Sequence, residues 1–259
     1  MGRELDGRTI VIIGGTAGLG LSAARACVAA GANVVAVGRD PEVAQQARDV
    51  LGNQARVVVA DATSPGTARQ AIDIAVDAFG SLDGLYHVAG GSGRARGDGP
   101  LDAISDDGWR HTLELNLTSV FYSNRAAVGR FLVQKTGGSV LNVGSVLGFS
   151  PAPEHFATHA YAAAKAAIIG LTRSAAAYYA PQNVRFNLIA PALVETPMSE
   201  RAIANAEIMD YIARKQPLDG GRVGQPSDLD AAVVYFLSDA SRYTTGQVLA
   251  VDGGWSVTG

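Results

Sequence analysis

Sulfur is scarce in this chain of 259 residues, which contains one cysteine and three methionines. With Cys27 alone no internal disulfide can form. Its helical neighbours Ala26 and Val28 predict a buried, inert thiol rather than a reactive one. No apolar run approaches the roughly 18 residues that span a bilayer, so no membrane partner is expected. Charge is also sparse. Charged residues make up 17% of the chain, 21 basic against 24 acidic, for a net charge of -3. No basic stripe is available to follow a phosphate backbone, so nucleic acid is not an expected partner. The opening MGRELDGRT is polar and does not read as a secretory signal. Asp6 stands where a myristoylation pattern needs Ser or Thr. The expectation is a cytoplasmic protein.

What the chain does contain is apolar bulk, 47% of residues, and 31 glycines. Short β-branched runs recur at 9–13, 33–37, 55–60, 82–88, 138–144, 184–190 and 246–251. Helical stretches lie between them at 18–31, 41–51, 65–79, 106–135, 158–179 and 227–239. Strands separated by helical crossovers predict an α/β fold: a seven-stranded parallel sheet, doubly wound, with helices on both faces. No linker or composition break divides the chain, so one domain over 1–259 is expected. The less regular segment 193–225, with Pro197, Pro217 and Gly220-Gly221, is the candidate substrate lid.

The first strand runs straight into GGTAGLG, with Gly14, Gly18 and Gly20 ahead of an alanine-rich helix. Glycines there allow a tight turn and let a pyrophosphate approach the N–H groups of the helix start. Thr16, Ala17 and Leu19 fill the turn and join the candidate cofactor residues. The second strand ends in VGRD. An acid at that point suits the ribose hydroxyls of NAD, and an arginine suits the 2′-phosphate of NADP. Asp40-Pro41-Glu42 reads as a helix cap, a first-turn proline and an acidic first turn; Arg39 reads either as a plain surface charge or as the 2′-phosphate residue, and the second reading is preferred, which favours NADP, with NAD possible.

Downstream, AYAAAKAAIIGL places Tyr161 and Lys165 four residues apart, on one helix face. In isolation the pair also reads as a core tyrosine and a snorkelling lysine. Together with the glycine turn, Asn116 in ELNLTSVF and Ser145 in NVGSVLG, it resembles the classical short-chain dehydrogenase/reductase family, in particular its 3-oxoacyl-[acyl-carrier-protein] reductase-like branch. The resemblance covers essentially the whole chain. It implies a Rossmann fold in which Tyr161 is the proton donor and acceptor and Lys165 holds the nicotinamide ribose and favours tyrosinate. It further implies that Ser145 bonds the substrate carbonyl and Asn116 holds a relay water. A phenol ordinarily titrates near ~10, and a nearby cation lowers that value. The resemblance also implies cofactor contacts from Asp61 and Ala62 at the adenine, and from Ala89, Gly90, Pro191, Val194 and Thr196 toward the nicotinamide. His87 and Val88 depart from the family's usual asparagines, Ile13 from its usual threonine, and Ala192 from its usual glycine. VDGGW at 251–255 matches the family's C-terminal strand end and is expected to be structural.

The activity implied is NADPH-dependent interconversion of a small-molecule ketone, a 3-oxoacyl thioester among the candidates, and a secondary alcohol. An NAD-dependent alcohol or sugar dehydrogenase is the alternative, and a non-catalytic cofactor-binding protein the distant one. No metal is expected, because the chemistry needs none. The implied assembly is a homotetramer built through 106–135 and 158–179. Substrate choice is expected to lie in the loops at 91–100 and 148–158 and in segment 193–225. His155 and His159 either meet the substrate or face solvent. Arg94 and Arg96 in GGSGRARGDGP either meet an acidic group or belong to a surface loop.

Overall fold

Each β-branched run forms a strand, and together the strands set the floor on which every other element rests. The computed structural model describes residues 3–258. The strands are β1 (Thr9–Ile13), β2 (Asn33–Gly38), β3 (Ala55–Val59), β4 (Gly84–His87), β5 (Gly138–Val143), β6 (Val184–Pro191) and β7 (Val248–Val251). All pair in parallel, in the order β3-β2-β1-β4-β5-β6-β7. Ile13 at the end of β1 stands opposite Val37 on β2 and His87 on β4. Chain progression reverses between these two neighbours, which opens a crevice at the carboxyl ends of the strands.

The inner strands are apolar on both faces, as a sheet covered on both sides requires. Ile10, Ile12, Val34 and Ala36 point into one core, with Ala23 and Cys27 of α1 (Gly18–Ala29) and Val233 and Leu237 of α9 (Asp230–Leu237). Val11, Ile13, Val35 and Val37 point into the other, with Ala71 and Ile72 of α3 (Thr67–Phe79), Phe131 of α5 (Ser119–Gln134) and Ala176 of α6 (His159–Tyr179). The two-residue period sorts neighbours to opposite faces, and each fully buried aliphatic side chain contributes about 1.5–3 kcal/mol. Cys27 lies in the first core, where burial, with Asp230 nearby, pushes its thiol up to about 12.

The turn from β1 to α1 is a backbone-on-backbone contact. A Cβ at Gly20 would fall 1.9 Å from the Gly14 carbonyl oxygen, and Gly14 itself takes φ +91°. No other residue fits at Gly20, and side chains rarely adopt the Gly14 conformation.

The remaining helices are α2 (Pro41–Leu51), α4 (Asp106–Leu113), α7 (Glu200–Ile203) and α8 (Ala206–Lys215). The helix expected over 106–135 is interrupted: residues 114–118 form a π-helical turn between α4 and α5. Side chains there take backbone carbonyls, with Ser119 Oγ donating to Leu115 O at 2.6 Å and Asn116 Nδ2 to Thr112 O at 2.9 Å. The stretch expected over 227–239 separates into a 3₁₀ turn at Pro226–Leu229 and α9. Segment 193–225 carries α7 and α8, whose Ala202, Ile208 and Ile212 pack with Val146, Ala152 and Trp255 into a small third core above the carboxyl edge. Among the described residues no helix is long and apolar enough to cross a membrane.

Candidate active site

A cavity of about 590 Å³ lies over the carboxyl ends of the strands. Its wall carries Gly14, Thr16, Ala17, Gly18, Leu19 and Gly20 from the glycine turn, and Arg39, Asp61 and Ala62 beyond β2 and β3. Ala89 and Gly90 after β4, and Pro191, Val194 and Thr196 after β6, line it too. Ser145, Tyr161 and Lys165 complete the wall. Every residue expected to contact a cofactor therefore faces one space.

The glycine end suits a bound phosphate. The N-cap of α1, Ala17, is extended and offers no side-chain acceptor, and the first turn of α1 holds no acid. Its amides thus remain available to an anion, which the helix dipole also favours. Gly38 leaves room beside this turn, where a Cβ would sit 1.9 Å from Thr16 Oγ1. Asp40 is committed elsewhere: its Oδ1 accepts from Glu42 N at 2.9 Å and Val43 N at 3.1 Å, capping α2. Arg39 lines the cavity instead and, among the described residues, makes no ion pair within 4 Å. Asp61 accepts from the Thr63 amide and hydroxyl, each at 2.8 Å. The Thr63 amide is the main reason its carboxyl is held below the ordinary range, and Arg39 adds to the effect.

At the other end, β5 delivers Ser145 just beyond its tip, and α6 delivers Tyr161 and Lys165 from one face. Lys165 is 3% exposed, and its Nζ donates to the Val143 carbonyl at 2.9 Å. Burial pulls its ammonium down to about 8. Nζ lies 5.5 Å from the centre of the Tyr161 ring. The tyrosine corrects one expectation. Its phenol is pushed up to about 12, because burial outweighs the opposing hydrogen bond with Ser145. Proximity on a helix face is outweighed by desolvation.

Asn116 does not line the cavity and is fully buried behind it. Nδ2 donates to Gly91 O and Thr112 O, both at 2.9 Å, and Oδ1 accepts from Gly91 N at 3.1 Å. The side chain clamps the π turn to the loop after β4. A Cβ at Gly90 would lie 2.8 Å from Asn116 Oδ1 and 3.5 Å from Lys165 Nζ, so glycine keeps the space between the two free. His87 is buried in the sheet, with Nδ1 2.7 Å from Ser123 Oγ and Nε2 3.3 Å from Ser119 Oγ. Burial, helped by the Lys165 charge, takes its pKa to about 3; the ring is neutral and structural.

The two odd loops meet. Arg94 lines the cavity and donates to the His155 carbonyl at 3.1 Å, whereas Arg96 is exposed off the wall. The rings of His155 and His159 are also off the wall, His155 lying edge-on to Tyr211 at 5.1 Å. Two wall residues, Trp255 and Arg201, escaped the sequence reading. Trp255 turns inward because Asp252 accepts from the amides of Gly254 and Ser256, and it packs against Phe156 at 5.8 Å. Arg201 reaches the wall from α7. Only the tryptophan carried a signal, an aromatic directly after two glycines.

Asp98, at the end of the 91–98 loop, is buried and caps α6: its oxygens accept from Ala160 N at 3.0 Å and Tyr161 N at 2.9 Å.

The chain resembles known proteins along its whole length. A family described as enoyl-(acyl carrier protein) reductase matches residues 14–256. The 3beta-hydroxysteroid dehydrogenase 1 of Eggerthella lenta is 36% identical over 258 residues, covering 98% of this chain and 95% of that protein. The cis-4-hydroxycyclohexanecarboxylate dehydrogenase of Sinomonas cyclohexanicum is 35% identical over 260 residues, 99% of each. The solved structure of a short-chain type dehydrogenase/reductase from Mycobacterium ulcerans matches with a TM-score of 0.88 at 31% identity, covering 98% of this chain and 92% of that one. These relatives support the wider family without singling out its 3-oxoacyl reductase branch.

Losing the Asp98 cap leaves two amides of the Tyr161 helix unpaired. Asp98→Ala should lower stability by about 0.5–2 kcal/mol and speed hydrogen exchange at Ala160 and Tyr161 more than elsewhere in α6. Uniform exchange along the helix would contradict the capping role.

Proposed function

The chain belongs to the classical short-chain dehydrogenase/reductase family, an NAD(P)-using oxidoreductase of alcohols and ketones, and on that premise we propose that it interconverts a secondary alcohol and its ketone with NADP. The observation that carries this reading is the meeting of Ser145, Tyr161 and Lys165 in the cavity whose other end is the glycine turn. When bound, the nicotinamide takes or gives the hydride. In the reductive direction the Tyr161 hydroxyl gives its proton to the carbonyl oxygen, and in the oxidative direction tyrosinate takes it back. A phenol pushed up to about 12 is protonated at neutral pH, which suits the reductive role. Ser145 donates a hydrogen bond to the same oxygen and steadies its developing charge. The Lys165 ammonium stabilises the tyrosinate left behind. Asn116 serves the relay that restores the proton. Its Oδ1 keeps a second lone pair for a water, and glycine at position 90 leaves room toward Lys165.

The preference for NADP rests on Arg39, which faces the cavity without an ion-pair partner among the described residues, while Asp40 is spent on its cap. The aromatic wall of Phe156 and Trp255 favours a ring-bearing ketone over a linear 3-oxoacyl thioester. The two relatives described above are named for ring alcohols. A cytoplasmic homotetramer is the proposed state. Phe121, Leu132 and Val133 on α5 and Tyr178 on α6 are exposed apolar side chains for such an assembly to cover.

Tyr161→Phe should cut turnover of a cyclic ketone by about 10²–10⁴-fold while NADPH binding by fluorescence stays within about twofold, as expected if only proton transfer is lost; retained turnover would remove Tyr161 as the acid. Arg39→Asp should weaken NADPH binding by at least about tenfold, the loss of one charge-assisted phosphate contact, and spare NADH; equal losses would remove the NADP assignment. Light scattering should return four times the chain mass, and a monomer would refute the assembly.

A further inference from the structure

We propose that Arg94 and Arg201 form an anion subsite in this cavity, so that the alcohol or ketone handled here carries a carboxylate on the side away from its reacting carbon. The proposal rests on the dehydrogenase reading and extends it to the class of substrate.

The two arginines come from unrelated segments. Arg94 sits in a 3₁₀ turn after β4, held between Gly93 at φ +71° and Gly97 at φ +95°. Arg201 sits on α7, more than a hundred positions later. Both line the wall that carries Tyr161. They are close enough for the charge of Arg201 to lower the pKa of Arg94, after burial, the larger cause. Arg94 is half-buried and Arg201 is exposed, and two cations on one wall repel each other.

The charge of Asp98 offsets part of that repulsion at Arg94, but no ion pair among the described residues does so. Among the described residues neither arginine has an acid within 4 Å. Among the described residues the Arg94 side chain makes one hydrogen bond, from Nη2 to the His155 carbonyl at 3.1 Å. A guanidinium has five N–H donors, so most of its fork stays free. Asp98 is the acid whose charge Arg94 feels, and both its oxygens are held by the amides of Ala160 and Tyr161. Glu154 is exposed and lies 3.9 Å from the His155 ring. The bond to His155 fixes one edge of Arg94 and leaves the rest to a ligand. Planar guanidinium donors match the paired oxygens of a carboxylate.

The same cavity wall also carries apolar side chains: Leu147, Phe156, Met198 and Trp255. The wall therefore describes a ligand with a carbonyl at Ser145 and Tyr161, a hydrocarbon body and an anionic end. Cofactor phosphates are the other source of negative charge in the cavity. The free amides of α1 and Arg39 already form a phosphate site around the glycine turn, so the substrate is the source assigned here.

The test uses calorimetric titration of the NADP-loaded protein with 4-oxocyclohexanecarboxylate and with its methyl ester, which has the same ring and ketone but no charge. NADPH is titrated separately. The wild type should bind the acid at least about tenfold more tightly than the ester, and salt should narrow the gap, as for charge-assisted contacts. Arg94→Ala with Arg201→Ala should remove the gap and leave ester and NADPH affinities unchanged. Arg94→Lys with Arg201→Lys should restore part of it, which separates charge from folding. Equal affinity for acid and ester in the wild type, equal loss of both in the alanine variant, or binding of neither probe would overturn the proposal. Loss of NADPH affinity with the acid preference intact would overturn it too, assigning the arginines to the cofactor phosphates. Failure of the dehydrogenase reading looks different: NADPH would not bind and neither ketone would be reduced, while titration of the cofactor-free protein would still show the acid preference.

Discussion

An ammonium group stripped of water is the constraint around which this pocket is arranged. Lys165 is 3% exposed, holds one backbone carbonyl and has no carboxylate partner within 4 Å among the described residues. A buried, unpaired cation is unfavourable by itself, and its depressed pKa records that. Any negative charge that forms within reach is correspondingly welcome. Tyr161, with its ring centre 5.5 Å from Nζ, is a group able to supply one, though its own burial disfavours the anion. Each group is poorly placed as an isolated ion and well placed as half of a pair. The tip of β5, which supplies Val143 O and Ser145, and one face of α6, which supplies the pair, are the minimum architecture for this effect.

The fold was legible because its determinants are local. β-Branched runs and glycine stops mark the strands, and a sheet covered on both faces leaves little freedom in the rest. The phosphate turn was legible for the same reason, since Gly14 and Gly20 meet across six residues. Asp40-Pro41-Glu42 also announced itself as a cap, and the structure bears that out. The π turn at 114–118 was not legible, because a helix that widens by one residue keeps nearly the same apolar spacing. The pKa direction of Tyr161 was misjudged for a related reason. Spacing places a cation on the same face but says nothing of how much water the fold removes.

What sequence could not show was convergence over long separations. Arg201 lies in an irregular stretch and becomes meaningful only beside Arg94. Trp255 belongs to a tail that resembled a structural strand end, yet it lines the cavity and anchors a third small core. His155 contributes through its carbonyl, which any residue could have supplied, so its ring misdirected attention. The loops at 91–100 and 148–158 converge at the N-terminus of α6, where the wall of the cavity and the placement of Tyr161 are decided together.

The Asp98 cap has a consequence for the order in which this chain assembles. Its partners lie 62 and 63 residues downstream, so the first turn of α6 is completed only by a contact of long sequence separation. Closing such a loop carries an entropic penalty that local contacts avoid, and topologies rich in such closures fold slowly. Residues farther along α6 can coil on their own, but its first turn must wait until β4, α4, α5 and β5 have brought residue 98 into place. A chain emerging from the unfolded state would regain most of its helical signal before Tyr161 was set in the cavity wall.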